Sequence, residues 1–166
     1  MQEMKIVISD DNKTVKLQKG IRLIIRRCCK AVIHSEGIRG LSELFVTLTN
    51  DSGLSKFKEK YFSSDNDGVL ILPSMENGVY PEDCSSGVRI LGYMVISMEQ
   101  VERNAYLYGR TIEREIAYLV LHGAFELFGH HYSHGAEKAL MREKEEALLE
   151  QMGLAVSSSS MARKRA

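Results

Sequence analysis

The stretch HGAFELFGHHYSH (122–134) gathers four of the chain's five histidines and one glutamate into thirteen residues. His122 and Glu126 are four residues apart, a spacing that stacks two side chains one turn above the other on a helix face. Gly129 then lets the chain turn, and His130, His131, Tyr132, Ser133 and His134 follow. Two donors on adjacent helical turns, with a third brought round beyond a glycine, form the layout of a helix-borne zinc site. Three protein ligands leave a position for water, which the ion acidifies into a nucleophile. A purely structural reading accounts for the same residues. Histidines beyond a helix C-terminus can bond the free carbonyls and favour the negative end of the dipole. A His–Glu pair at i, i+4 can be a plain hydrogen-bonded pair.

The elements that must position this cluster are legible around it. TIEREIAYLVLHGAFELFG (111–129) has the strongest helical pattern, with Thr111 as N-cap and Glu113 and Glu115 in the first turn. Ile112, Ile116, Leu119, Gly123 and Leu127 mark a buried stripe beside the face that carries His122 and Glu126. Upstream, MKIVISD (4–10) alternates like a strand. Residues 15–36 read as a helix through Leu17, Ile21, Ile24, Ile25 and Cys28, with Gly37 as its stop. Arg22, Arg26, Arg27 and Lys30 fall largely on another side of that helix. The plain reading is a solvated face; the sharper one is a surface for RNA phosphates. Strands are expected at 41–50, 69–73 and 88–98, a short helix at 51–61, a turn at SSDNDG and a loop over 74–87. Gly92 marks a bulge or a close backbone approach. Helices follow at 98–108, 111–128 and roughly 134–152. Strands early and helices late give a mixed α+β fold. Residues 1–153 read as one domain, and 154–166, ending AVSSSSMARKRA, as a disordered basic tail.

Composition narrows the function classes. With 166 residues, 44% of them hydrophobic and 27% charged, the chain suits one globular domain. Its 22 basic and 22 acidic residues cancel, unlike a nucleic-acid binder that is basic over its whole surface. Cys28, Cys29 and Cys84 make no disulfide framework and no CxxC pair, so neither a zinc knuckle nor a redox motif is indicated. A reducing compartment fits. The N-terminal residues lack a signal-peptide apolar stretch and are too acidic for a transit peptide. No apolar run is long enough to span a bilayer, and the expected location is the cytoplasm.

HGAFELFGHHY (122–132) resembles the signature of the YbeY family, bacterial and organellar endoribonucleases implicated in ribosomal RNA maturation. That signature reads H-G-x-L-H-L-x-G-Y-D-H. His122, Gly123, Leu127 and Gly129 match it, while Glu126 and Tyr132 stand at its second and third histidine positions. LGYMVISMEQVERNAYLYGRTIEREIAYLVLHG (91–123) is similar to the family's stretch that begins L-G-D-I, with Tyr93 at the aspartate, YGR for Y-G-H, and Arg114–Glu115 kept. DGVLILP (67–73) resembles T-D-V-L-S-F-P, with Gly68 and Ile71 at the aspartate and serine. EKALMREKEEALLEQMG (137–153) is similar to the closing helix. The resemblance covers roughly residues 41–153.

The resemblance implies a small mixed β-sheet packed with helices and a zincin-like metal-site helix. It implies a metal-dependent, single-strand-specific endoribonuclease in rRNA maturation and ribosome quality control, with rRNA or a ribosomal subunit as partner and no membrane. The three family ligands map onto one zinc ion held by His122, Glu126 and a third donor. His131 is first choice, as the smallest rearrangement suffices; Tyr132, if ionised, and His134 are the alternatives. If Glu126 were instead a free base, the metal would have too few ligands. A family arginine falls near Tyr61–Phe62, where Lys56, Lys58 or Lys60 would have to meet phosphate without the bidentate fork. Two rivals follow. One is a catalytically weakened homologue that binds RNA or the ribosome. The other is a zinc peptidase, which lacks the HExxH glutamate because Gly123 follows His122.

Overall fold

Leu44, Val46 and Leu48 are buried and alternate with half-buried Phe45 and Thr47, so the second strand turns one side of its pleat to a core. The protein is described by a computed structural model, covering residues 3–61, 68–74, 80, 87–130 and 135–154. Its elements are β1 (Glu3–Asp10), α1 (Ile21–Ser35), β2 (Leu41–Thr49), α2 (Asp51–Lys60), β3 (Val69–Pro73), β4 (Arg89–Ser97), α3 (Met98–Leu107), α4 (Ile112–Leu127) and α5 (Gly135–Gln151). The expected turn at 63–68 falls largely outside the described residues, as does most of the 74–87 loop. Residues 155–166 of the expected tail lie outside them too. Leu154 is described and packs against the core.

The strands form one mixed sheet in the order β1-β2-β4-β3. β1, β2 and β4 run parallel, and β3 pairs antiparallel with β4. Parallel neighbours need a crossover, and α1 supplies the one between β1 and β2. On one face Ile6, Leu44, Val46, Leu48, Met94 and Ile96 meet α1 and α4 in the main core. On the other, α2 sets Leu54 against Leu70 and Val95. This is the expected α+β class. Among the described residues no helix is long and apolar enough to cross a membrane.

The first helix starts at Ile21, six residues later than its apolar pattern suggested. The Asn12 side chain holds a local turn instead, accepting from the Val15 and Thr14 N–H groups. Gly20, with φ 95°, then takes the left-handed conformation at the N-cap. Leu17 still reaches the core from this irregular segment. Cys28 and Cys29 are neighbours on α1, and both are fully buried because α1 is enclosed by the sheet and α4. Burial pushes the Cys28 thiol up to about 12, and Cys29 is raised too, by burial and by its neighbour. Both are free thiols without reactive character. Cys84 lies outside the described residues.

Gly92 is both the bulge and the close approach. The β2–β4 register passes from Glu43↔Ile90 to Leu44↔Gly92, leaving Leu91 as the extra residue. A Cβ on Gly92 would stand 2.7 Å from the Leu72 carbonyl oxygen and 2.9 Å from Leu127 Cδ1. The first obstacle is backbone and cannot swing aside. The bulge thus seats the end of α4 on the sheet. Gly92→Ala is predicted to destabilise the fold by about 1–3 kcal/mol. The check is the urea midpoint, which should fall; an unchanged midpoint would show that β3 and α4 can give way.

Candidate functional site

Helix α4 begins where the sequence places it. The Thr111 side chain accepts from the Arg114 N–H at 3.1 Å, and Glu113 and Glu115 occupy the first turn. Gly123 lets the helix lie close to the sheet, because a Cβ there would come within 2.8 Å of Ile71 Cδ1 and 3.4 Å of Met94. Of the expected stripe, Ile116, Leu119, Gly123 and Leu127 are buried and Ile112 is half-buried. Burial goes well beyond one stripe, since α1, α3, α5 and the sheet all contact α4. Tyr118, His122 and Glu126 keep a half-open line at spacings of four.

His122 is the centre of this line. Its Nε2 lies 3.2 Å from Glu126 Oε1, so the i, i+4 pair expected from the sequence is formed. Its Nδ1 lies 2.9 Å from Glu145 Oε1, on α5. The side chain of Glu145 is only 4% exposed, against 25% for His122 and 24% for Glu126. The Tyr118 ring stacks on the imidazole at 5.8 Å between centroids and 24° between planes. The hydrogen bonds to Glu126 and then Glu145 outweigh desolvation and raise the imidazole from 6.5 to about 10. In this state the group is an imidazolium between two carboxylates. Once the Nε2 proton leaves, the Nδ1–H still donates to Glu145, and Nε2 and a Glu126 oxygen both face the half-open side. This arrangement fixes the tautomer as a buried carboxylate does for a metal-bound histidine. Two donors bound at about 2.0–2.1 Å and a tetrahedral angle stand roughly 3.3 Å apart. The observed 3.2 Å separation suits donors that share one ion.

The candidates for a third donor, His131, Tyr132 and His134, all lie outside the described residues. Glu145 approaches the other edge of the ring, so among the described residues no three His, Cys, Asp or Glu side chains converge on one metal position. His130 is drawn elsewhere: its Nε2 is 2.5 Å from Glu36 Oε1, just beyond α1, and its ring meets Phe125 edge-on. His130 also meets a free carbonyl at the end of α4 through its backbone: the His130 N–H donates to the Phe125 carbonyl and the Gly129 N–H to that of Glu126, with Gly129 at φ 90°.

Other positions singled out by the sequence have structural roles. Tyr93 points to the sheet face away from α4 and stacks on Phe45 at 5.0 Å. Ile71 packs against Gly123, and Gly68 turns at φ 83° beside Gln100. Lys60 lies 5.4 Å from the centre of the Tyr61 ring. The residue that sequence reading missed is Glu145. Its signal was a carboxylate in the stripe Met141, Glu145, Leu149, where α5 is otherwise apolar and buried.

An enclosed helix on a mixed sheet thus presents a His–Glu pair braced by a buried carboxylate. The sequence profile described as Endoribonuclease YbeY matches residues 7–153. The endoribonuclease YbeY of Caldanaerobacter subterraneus subsp. tengcongensis is 31% identical over 154 residues, spanning 89% of this chain and 98% of that protein. That of Caldicellulosiruptor saccharolyticus is also 31% identical, over 160 residues, spanning 91% and 99%. The solution structure of TM1509 from Thermotoga maritima shares the fold, with a TM-score of 0.54 and 18% identity over 91% of this chain and 92% of that one. The chain belongs to the endoribonuclease YbeY family.

The His122 environment makes stability depend on pH. The folded-state value of about 10 exceeds the ordinary 6.5. A raised histidine stabilises fully below the unfolded value, and the contribution is lost as pH rises through the folded one. Metal-free protein should therefore lose stability between about pH 6.5 and 10. Urea midpoints across that window should fall, and His122→Gln should flatten the decline. An equally steep decline in the variant would assign it to other groups.

Proposed function

We propose that this protein is a metal-dependent endoribonuclease that cuts single-stranded RNA during ribosomal RNA maturation, with rRNA or a ribosomal subunit as its working partner. The observation that carries the reading is the His122 ring, with one nitrogen tied to buried Glu145 and the other facing Glu126. Membership of a family whose relatives are named endoribonucleases supplies the reaction class. His122 and Glu126 would hold one zinc ion, with His131 as the third ligand. Glutamate oxygen and imidazole nitrogen are both ordinary zinc donors. A bound ion supplies Lewis acidity for an RNA phosphodiester.

The chain's own residues do the rest. Glu145 keeps the Nδ1 proton in place and holds the ring plane, so Nε2 stays directed at the half-open side. Tyr118 covers one face of the ring and limits its rotation. Glu126 offers a carboxylate from the next turn of the same rigid helix. Because α4 is packed on nearly every side, the pair keeps its geometry without help from substrate.

Purified wild-type protein is expected to carry about one zinc per chain by elemental analysis and to cleave single-stranded RNA. His122→Ala should lose both. Glu145→Ala should weaken zinc affinity about 10–100-fold while leaving both proposed donors of α4 in place. A wild-type protein that takes up no metal even when zinc is supplied, yet binds RNA, would instead identify a binding homologue without nuclease activity.

A further inference from the structure

Arg27, Lys30 and His34 follow one another at i, i+3 and i+7, so they form one ridge. That ridge borders a groove of about 600 Å³ between α1, the start of β1 and the C-terminal turns of α5. Its floor includes Met4, Leu148 and Met152, and among the described residues no carboxylate lines it. Among the described residues, Arg22 is the α1 cation with an ion-pair partner, at 3.8 Å from Asp10; Arg27 and Lys30 have none. Like charges on one helix ridge repel, so this arrangement weakens the helix unless an anion answers it. The chain as a whole is neutral, with 22 basic and 22 acidic residues, so the carboxylate-free groove is a local separation of charge.

We propose that this groove is a second contact surface for RNA, one that takes the phosphate backbone of the strand away from the cut. The proposal rests on the endoribonuclease reading above. Charge complementarity identifies the occupant: cations along one rim suit phosphates, and an apolar floor suits sugars and base faces. Among the described residues the lining contains no aromatic side chain, so contact there is driven by phosphate charge and tolerant of sequence. The ridge also leads toward the site. Glu36, two residues past His34, holds His130 at the end of α4. A strand lying along α1 would therefore run toward the end of the helix that carries His122 and Glu126.

The test measures binding of a single-stranded RNA oligonucleotide to metal-loaded protein by fluorescence anisotropy over a range of salt. Arg27→Ala/Lys30→Ala changes two exposed side chains and leaves the core untouched. Loss of two phosphate contacts should flatten the slope of log K against log salt by about 1.4. Affinity at low salt should fall about tenfold or more. Arg27→Lys/Lys30→Arg should restore both, and Lys13→Ala/Lys16→Ala, which removes the same charge elsewhere, should change little. Wild-type affinity and slope in the alanine variant, with the wild type binding and cleaving RNA, would overturn the groove and leave the nuclease reading standing. A wild type that neither binds nor cleaves RNA would overturn both. Unchanged RNA affinity with lost binding to polyglutamate would assign the groove to an acidic protein and overturn the RNA proposal.

Discussion

Glu145 sits in the interior with 4% of its side chain exposed, and a carboxylate there is tolerated only when something answers its charge. The answer is the Nδ1–H of His122, 2.9 Å away. This one hydrogen bond ties α5 to α4, sets the imidazole plane and decides which nitrogen faces outward. Either partner alone would be costly: a buried carboxylate without a donor, or a ring free to rotate beside Tyr118. The imidazolium state keeps the pair balanced in metal-free protein. Exchange of the Nε2 proton for a cation would keep it balanced as well, because the Glu145 bond is the same in both states.

The same logic runs along the rest of the α4–α5 contact. Arg114 on α4 reaches Glu146 on α5 at 2.6 Å; beside this contact Arg110, which precedes α4, reaches Glu115 on α4 itself at 2.9 Å while lying over the rings of Tyr108 and Tyr118. Burial disfavours the charged form of Arg114, and Glu146 offsets part of that. The Arg114–Glu146 pair helps to specify where α5 docks on α4. The apolar stripe of Met141 and Leu149 supplies the burial, and Glu145 between them supplies the register. The site is thus built by packing around α4, with Gly123 and Gly92 permitting the close approach of helix to sheet.

How much of this was legible in the sequence depended on the distance over which each feature acts. The strands and most helix ends were readable because alternation and capping are local; Thr111 both looks like an N-cap and is one. The pair His122–Glu126 was readable for the same reason, since a helix places i and i+4 together. The start of α1 was not, because Leu17 fits the helical pattern while the Asn12 turn and Gly20 override it. Glu145 was missed because its partner is 23 residues away on another helix. His130 found Glu36 across 94 residues, so its sequence neighbourhood gave no sign of that contact. Cys28 and Cys29 show the converse: neighbours on a helix point in different directions, yet both are buried when the helix is enclosed.

The most direct test of the account is a zinc titration followed by NMR of protein labelled with ¹⁵N at histidine. The account predicts that His122 in metal-free protein carries protons on both ring nitrogens near neutral pH. On adding one equivalent of zinc, Nε2 should lose its proton and show the shift of a metal-bound nitrogen, while the Nδ1–H resonance persists and still reports its bond to Glu145. A His122 that stays doubly protonated with zinc present in excess would contradict the account. It would make the Glu126–His122–Glu145 triad a structural ion cluster rather than the foundation of a metal site.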